Sequence, residues 1–384
     1  MRRFPVIAVT ACVALSFALV AGACSTSDAN KSASAVLTDV AVPHVTKQIG
    51  HVFVINLENE NYAATWGATS KAKYLNGTLR KQGVLLTNYY AIGHVSLDNY
   101  IAEISGQSPS KSTQLDCATY TDFVQTGTGA NGQALGTGCV YPKTVKTIAD
   151  QLTTAHKTWK GYMEDIGNSP TDAKTCRHPA LGAADTTLHP TATDMYATRH
   201  DPFVYFHSII DSAACATHVV GLPVLATDLK SAAKTPNLSF ITPNVCDDGH
   251  DAPCADGRPG GLVSADKWLQ TWVPKILASP AYKADGMLVI TSDEAGLGKT
   301  GDSTACCKTP KSPNVAKPGL TGPGGGKVGA LVLSVNTKAN TSSAVAYNHY
   351  ALLCSMENVW GLKHLGFAGA PGLTCFGKDV FNGS

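Results

Sequence analysis

His51-Val52-Phe53-Val54-Ile55-Asn56-Leu57-Glu58-Asn59 is the stretch on which the fold turns. Val52 to Leu57 is a short, largely apolar run rich in β-branched and aromatic residues, with Gly50 before it and the polar residues Glu58 to Asn61 after it. Such a run reads as a strand buried in a parallel sheet. In open α/β sheets, ligands lie at the carboxyl ends of the strands. Glu58 and Asn59 stand at that end, and both carry oxygens suited to a hard cation. A loop that merely caps the next helix would use the same residues, so the rest of the chain has to decide.

Two further runs repeat the pattern. Met287 to Ser292 reads as a buried strand that ends in Asp293 and Glu294. Adjacent carboxylates at the end of a buried strand repel each other and need a cation or a basic partner. With Glu58 and Asn59 they make a plausible oxygen cage for a divalent metal. Asn237 to Asn244 reads as another core strand, running into Val245-Cys246-Asp247-Asp248-Gly249-His250-Asp251. An acid and an imidazole just past a strand end are where a site draws its acid and base. A solvated Asp/Gly turn is the alternative. Trp159 to Met163 and Val328 to Val335 are also expected as strands, and Tyr141 to Thr154 as a helix.

In Gly93-His94-Val95-Ser96-Leu97-Asp98-Asn99-Tyr100-Ile101-Ala102-Glu103-Ile104-Ser105-Gly106, the residues Leu97, Tyr100, Ile101 and Ile104 recur at helical spacing and Gly106 is a natural stop. This places Ser96 at the N-cap, a position serine favours for structural reasons alone. The same N-terminus offers free N–H groups and a positive dipole end, which bind phosphate and favour an alkoxide. Asn99 lies one turn on and is expected to face the same way. His94 is open to a structural or a functional reading. His200, in Thr198-Arg199-His200-Asp201-Pro202, is open to a place near the site, with a packed structural histidine before a proline turn the preferred reading. Asn348-His349-Tyr350 begins a helix that continues through Trp360, with His349 a candidate imidazole for the site or a capping residue.

Arg2 and Arg3, followed by the apolar run Val6 to Val20, form an export signal too short to span a bilayer. Ala21-Gly22-Ala23-Cys24 resembles the lipobox of bacterial lipoproteins, with Ala21 where leucine is usual. The division expected is a signal peptide over 1–23, a Ser/Thr/Ala-rich tether over 24–47 and one domain over 48–384. Charged residues make up 15% of the chain and the formal net charge is +2. No basic tract suggests nucleic acid, and no second apolar segment suggests a membrane span. The loop from Gly296 to Lys327 is rich in Gly, Pro and Lys, and its Gly324-Gly325-Gly326-Lys327 is not a Walker loop, because no Ser or Thr follows the lysine.

Of twelve cysteines, Cys12 and Cys24 lie in the signal region, leaving an even number in an exported chain, which implies disulfides. Nearest-neighbour pairing gives 117–139, 176–215, 246–254 and 354–375, with Cys306 and Cys307 left over. No pair has the spacing of a zinc ribbon.

In their joint order these stretches resemble the bacterial and fungal acid phosphatase and phospholipase C family of phosphoesterases. The residues that carry the resemblance are Leu57-Glu58-Asn59, His94 to Tyr100, Thr242-Pro243-Asn244 through Asp248 and His250, Ser292-Asp293-Glu294, Gly324 to Gly326, and Asn348-His349-Tyr350. Secreted mycobacterial acid phosphatases, some of which act on phosphatidylinositol 3-phosphate, are similar in character. Family members often carry Pro where Val95 and Asp98 stand, and Asn where Asp247 stands. The resemblance implies an alkaline-phosphatase-like α/β three-layer sandwich with a mostly parallel central sheet and an irregular, disulfide-containing cap region. It implies one divalent metal ion (Ca, Mg, Mn or Zn) on Glu58, Asn59, Ser96, Asp293 and Glu294, with Ser96 as nucleophile. Asp248, His250 and His349 would hold phosphoryl oxygens or protonate the leaving group, and Asn99 would contact substrate. The expectation is an exported acid phosphatase that forms a phosphoserine and acts on a phosphorylated small molecule or phospholipid head group. It binds no nucleic acid and is attached to the membrane through Cys24 if that residue is lipidated. The alternatives are a phospholipase C acting on diesters and a binding lipoprotein on the same scaffold.

Overall fold

The computed structural model describes residues 48–296 and 301–381. The signal peptide, the tether and Cys24 lie outside the described residues. Ten strands follow in order: β1 (His51–Leu57), β2 (Val84–Tyr90), β3 (Val124–Thr128), β4 (Ala134–Thr137), β5 (Trp159–Met163), β6 (Val219–Gly221), β7 (Leu238–Thr242), β8 (Gly286–Ser292), β9 (Ala330–Ser334) and β10 (Thr341–Asn348). Eight of them form one sheet in the order β10-β2-β9-β8-β1-β7-β5-β6. Strand β9 pairs antiparallel with both β8 and β2, and every other pairing in the sheet is parallel. Seven strands therefore run one way, and their carboxyl ends share one edge.

Strand β1 is central, flanked by β7 and β8, and its apolar residues alternate between two cores. Val52 and Val54 join one cluster with Leu97, Tyr100, Ile101 and Ile104 of the helix Ser96–Ser105 and with Ala351 to Leu353 of the helix His349–Val359. Phe53, Ile55 and Leu57 join the other, with Leu262, Trp268, Leu269 and Val273 of the helix Gly261–Ala278. A strand apolar on both sides makes the sheet the middle of three layers. The expected strands, and the helices starting at Ser96 and His349, appear within two residues of their predicted bounds; the helix expected over Tyr141 to Thr154 forms only from Ile148 to Thr154, where the Thr147 side chain caps it, and 141–147 is turn and loop. Strands β2, β3, β4, β6 and β10 are ones the sequence reading leaves unassigned: β6 is only three residues long and β10 has just three buried residues of eight, so neither carries a continuous apolar run.

The cap region is irregular, as implied. It carries the β3–β4 hairpin, several single 3₁₀ turns and the disulfides 117–139 and 176–215. The pairs 246–254 and 354–375 also form as nearest-neighbour pairing gives them, and Cys306 and Cys307 bond to each other. Among the described residues no helix is long and apolar enough to cross a membrane.

Near the end of the helix His349–Val359, Glu357 is fully buried; its Oε1 accepts the Leu365 N–H at 2.8 Å. Burial pushes this carboxyl up to about 9, against that hydrogen bond. The folded protein therefore holds the proton more tightly than the unfolded chain does. That contribution to stability is present below the unfolded carboxyl's range and is lost as pH rises towards 9. Glu357→Gln keeps the acceptor and removes the charge. Unfolding free energy measured by denaturant titration between about pH 6 and pH 8 should fall more steeply in the parent than in the variant, by about 1.4 kcal/mol per pH unit. Equal slopes contradict the assignment.

Candidate active site

The shared edge gathers the ends of β1, β2, β7, β8 and β10. Backbone bonds knit the first of these together: Glu58 N–H donates to the Asp248 carbonyl at 2.9 Å, and Asp293 N–H to the Leu57 carbonyl at 2.9 Å. Glu58, Asp248, Asp293 and Glu294 are all buried. Burial, followed by the charges of Asp293 and Asp248, pushes the Glu58 carboxyl well above the usual range, against hydrogen bonds from Tyr100 and Ser96. Burial likewise raises Asp248 and Asp293; burial and the Asp293 charge raise Glu294. Four carboxyls buried side by side disfavour one another's ionisation, a cost that a cation or a basic partner would relieve.

The serine loop is strained into this cage. Val95 has φ 81°, a left-handed conformation that is an outlier for a β-branched residue and costs roughly 1–3 kcal/mol. Glu294 helps hold it, Oε1 accepting the Val95 N–H at 3.2 Å. Here the structure corrects the sequence reading of Ser96. Val95 is the cap and Ser96 the first helical residue, so its hydroxyl caps no backbone N–H; it donates to Glu58 Oε2 at 2.9 Å. Tyr100, one turn on, hydrogen-bonds Glu58 Oε1. The glycine run Gly324 to Gly326 supports the loop from beneath. A Cβ at Gly325 would stand 1.9 Å from the Gly93 carbonyl oxygen, so only glycine allows that approach.

Asn99 is placed differently from the expectation. Its Oδ1 accepts the N–H groups of Ile92 and Gly93 at 2.8 and 3.1 Å, and its Nδ2 donates to the Gly93 carbonyl at 3.0 Å. Both ends of the amide are taken up by loop backbone, so Asn99 shapes the serine loop instead of facing substrate. His349 is corrected too. It is fully buried, with Nε2 donating to the Asp293 carbonyl at 2.5 Å and Nδ1 2.9 Å from Glu103 Oε1. Burial alone would lower its pKa, but the Glu103 carboxylate, by charge and hydrogen bond, raises it overall. With both nitrogens engaged it positions the Asp293 backbone and has no proton to offer a leaving group.

His250 lies at the rim of the site, next to Asp248. Its side chain is 29% exposed, Nδ1 lies 2.8 Å from Asp251 Oδ1, and its N–H donates to Asp248 Oδ1 at 2.8 Å. Arg199 and Asp116 were missed, and His200, read chiefly as structural, lies in the site. His200 is buried between Glu58 and Asp248, its Nδ1 3.1 Å from Asp248 Oδ2 and its Nε2 3.5 Å from Glu58 Oε1, with its ring stacked on Tyr100. Burial, then the charges of Arg199 and His250, hold its pKa well below the usual imidazole range, so it is neutral. Arg199 and Asp116 meet beside it at 3.6 Å. His94 turns out to belong to the site: Nδ1 pairs with Glu294 Oε2, while Nε2–H donates to the Asp302 carbonyl at 3.0 Å.

The residues fit a divalent cation. Asn59 Oδ1 and Asp293 Oδ2 are buried without a hydrogen-bond partner, beside carboxyls that repel one another, and Asn59 N–H donates to Asp293 Oδ1 at 3.1 Å. Ligand atoms of Glu58, His200 and Asp248 also lie within 4.8 Å of one another. Of the expected ligands, Ser96 meets Glu58 and Asn59 meets Asp293, while the Glu294 carboxylate is engaged by His94 and the Val95 N–H.

The profile of the Phosphoesterase family matches residues 71–363. A phosphate-repressible acid phosphatase of Penicillium chrysogenum is 28% identical over 75% of this chain, and an acid phosphatase of Aspergillus fumigatus is 25% identical over 82%. The chain spans about half the length of these fungal relatives, 54% and 55%. A phosphatidylinositol-3-phosphatase of Mycobacterium tuberculosis is 23% identical over 84% of this chain and 81% of its own. A solved structure from Bacteroides thetaiotaomicron, described with that organism's metabolism of multiple glycosaminoglycans, has a TM-score of 0.51 at 12% identity, covering 88% of this chain and 82% of the other. A protein in the alkaline phosphatase superfamily from Vibrio parahaemolyticus gives a TM-score of 0.48 at 12% identity, covering 84% and 69%.

Asp293→Asn tests the cage through stability. It removes one of the mutually repelling buried carboxyls. In chelator near neutral pH the variant should melt above the parent. Added divalent cation at about 100 times its Kd should stabilise the parent by about 2.7 kcal/mol and the variant far less. A variant that melts lower in chelator, or responds to cation as the parent does, contradicts this arrangement.

Proposed function

The chain belongs to the Phosphoesterase family, and from that premise we propose that it is an exported, metal-dependent acid phosphatase that hydrolyses phosphomonoesters through a phosphoserine on Ser96. The observation that carries the reading is the Ser96 hydroxyl, first in its helix, held 2.9 Å from Glu58 within a cage of buried carboxyls. The names of the relatives support a monoester substrate, with the mycobacterial one favouring a phosphoinositide among the candidates. Five disulfides and the N-terminal address support export, with a lipid on Cys24 as the anchor.

Each step falls to a named residue. A phosphoryl group at the helix N-terminus meets backbone N–H groups and the positive end of the dipole. A divalent cation on Glu58, Asn59, Ser96, Asp293 and Glu294 would neutralise phosphoryl charge and favour the alkoxide. Ser96 Oγ forms a bond to phosphorus as the ester P–O bond breaks, its proton passing toward Glu58 Oε2. His250, more open than the buried His200 and His349, gives a proton to the departing alkoxide oxygen. Water then attacks phosphorus, releasing phosphate and restoring the Ser96 hydroxyl. Asp248 and neutral His200 hold the floor of the site, and Asn99 and His349 keep loop and strand in place.

Ser96→Ala should lower the turnover of p-nitrophenyl phosphate by several orders of magnitude. It should cost only about 1 kcal/mol of stability, the contribution of one buried hydrogen bond. Acid quench of the parent with a labelled monoester should leave label on the peptide containing Ser96. Turnover of p-nitrophenylphosphorylcholine in place of the monoester would make the protein a phospholipase C. Turnover of neither would leave the binding lipoprotein.

A further inference from the structure

Next to Ser96, the N-terminus of the ten-residue helix Ser96–Ser105 is already occupied by an anion of the protein's own. Asp116 Oδ1 accepts the Leu97 N–H at 3.1 Å, and Asp116 Oδ2 lies 3.6 Å from Arg199 Nε. Arg199 is nearly buried, with a side chain only 5% exposed. Its Nη2 approaches His250 Nε2 at 3.4 Å, and its Nη1 is buried with no hydrogen-bond partner. A guanidinium cannot give up its charge, and a buried N–H without an acceptor is costly, so this fork is built for an oxyanion larger than the one it holds. A phosphate can span the amide and the fork together, as guanidinium geometry favours.

We propose that Asp116 is a specificity-determining residue whose carboxylate stands where the substrate's phosphoryl oxygens bind, so that a phosphate ester enters by exchanging with it on the Leu97 N–H and Arg199. The proposal rests on the reading of Ser96 as the phosphate acceptor. Asp116 answers the charge of Arg199 and fills the helix terminus, two groups that are unfavourable when left bare. Its side chain is 19% exposed against 5% for Arg199, so of the pair Asp116 has the shorter way to solvent. The loop that presents it is fixed by the Cys117–Cys139 disulfide and by the Cys117 N–H, which donates to the Ser112 carbonyl at 3.0 Å.

An ionised Asp116 repels a phosphate dianion at close range, and a neutral one does not. The groups it faces are Arg199, the Leu97 amide and His250, which favour the carboxylate, and Asp98, Asp293 and Glu294, which oppose it. Burial pushes its carboxyl up to about 6, against Arg199 and the amide. Competition for the fork is thus strong at neutral pH and fades under acid, which gives this site an acidic preference beyond any general acid.

The test is calorimetric titration of the metal-loaded protein with inorganic phosphate at about pH 5 and pH 7.5. At the higher pH, Asp116→Asn should bind phosphate at least about tenfold more tightly than the parent, since it removes one charge a few ångströms from the ligand. At the lower pH the two should differ by less than about threefold, because the parent's carboxyl is then largely protonated. Asp116→Ser should behave the same way and serves if the asparagine variant folds poorly. Phosphate affinity that is unchanged or weaker in the variants at pH 7.5 overturns the proposal and leaves Asp116 as a prop for Arg199. The readout does not depend on turnover. A parent inactive on monoesters, with the affinity shift present, defeats the functional reading alone; an active parent without the shift defeats this inference alone.

Discussion

Glu58, Asp248, Asp293 and Glu294 are packed out of water at one edge of one sheet, and almost everything else in the site answers to their mutual repulsion. Carboxyls buried together either keep their protons or gather a positive charge, and neutral hydrogen-bond donors ease their burial. The retained protons and the donors are both visible. Each of the four is pushed upward by burial, and around them stand Tyr100, Ser96, His200, His94 and the backbone N–H groups of Asn59 and Val95, all engaging their oxygens. Holding such a cluster requires a rigid frame. The parallel strands β1, β7 and β8 provide it, since Val, Ile, Leu and Phe side chains on both faces contribute about 1.5–3 kcal/mol each when fully buried. The apolar middle of the sheet thus carries the energetic cost of its acidic edge.

A second shell makes the geometry specific. His349, paired with Glu103, fixes the Asp293 carbonyl, while Asn99 fixes the turn that lifts Ser96 toward Glu58. Val95 is held in a left-handed conformation by bonds at both ends of its loop, and the strain sits beside the hydroxyl it positions. Strain at such a place is tolerated only where the surroundings over-determine it. The cap region adds Arg199, His200 and Asp116, which face the helix N-terminus from outside the sheet. The carboxyl side of the site therefore comes from strand ends, and the guanidinium side from the cap.

This division explains what the sequence made legible. Strands β1, β7 and β8 could be read because a strand buried on both faces is an unbroken apolar run, and polar residues at its end stand out. Glu58, Asn59, Asp293 and Glu294 follow from that alone. His200 was read chiefly as structural, because it lies in an irregular 3₁₀ segment whose place depends on tertiary packing; only its neighbours Arg199 and Asp201 in an otherwise apolar stretch hinted at charge. His349 was legible as a site residue and misread in role, since sequence shows that an imidazole is near but not whether its nitrogens are already bonded. Ser96 was shifted by one position at the cap because nothing in the residue type of Val95 announces a φ of 81°. The four sequential disulfides could be paired by proximity in the chain, since each closes a loop of the cap or the chain's end without crossing another.

The central claim is that the repelling carboxyls are a cation cage that serves Ser96. The direct measurement is anomalous diffraction from crystals of the protein grown with Mn²⁺. The account predicts a strong anomalous peak within coordination distance of Glu58 and Asp293, with the Asn59 amide oxygen turned toward it. No peak at this edge at saturating Mn²⁺, or a peak held by other residues, would contradict it.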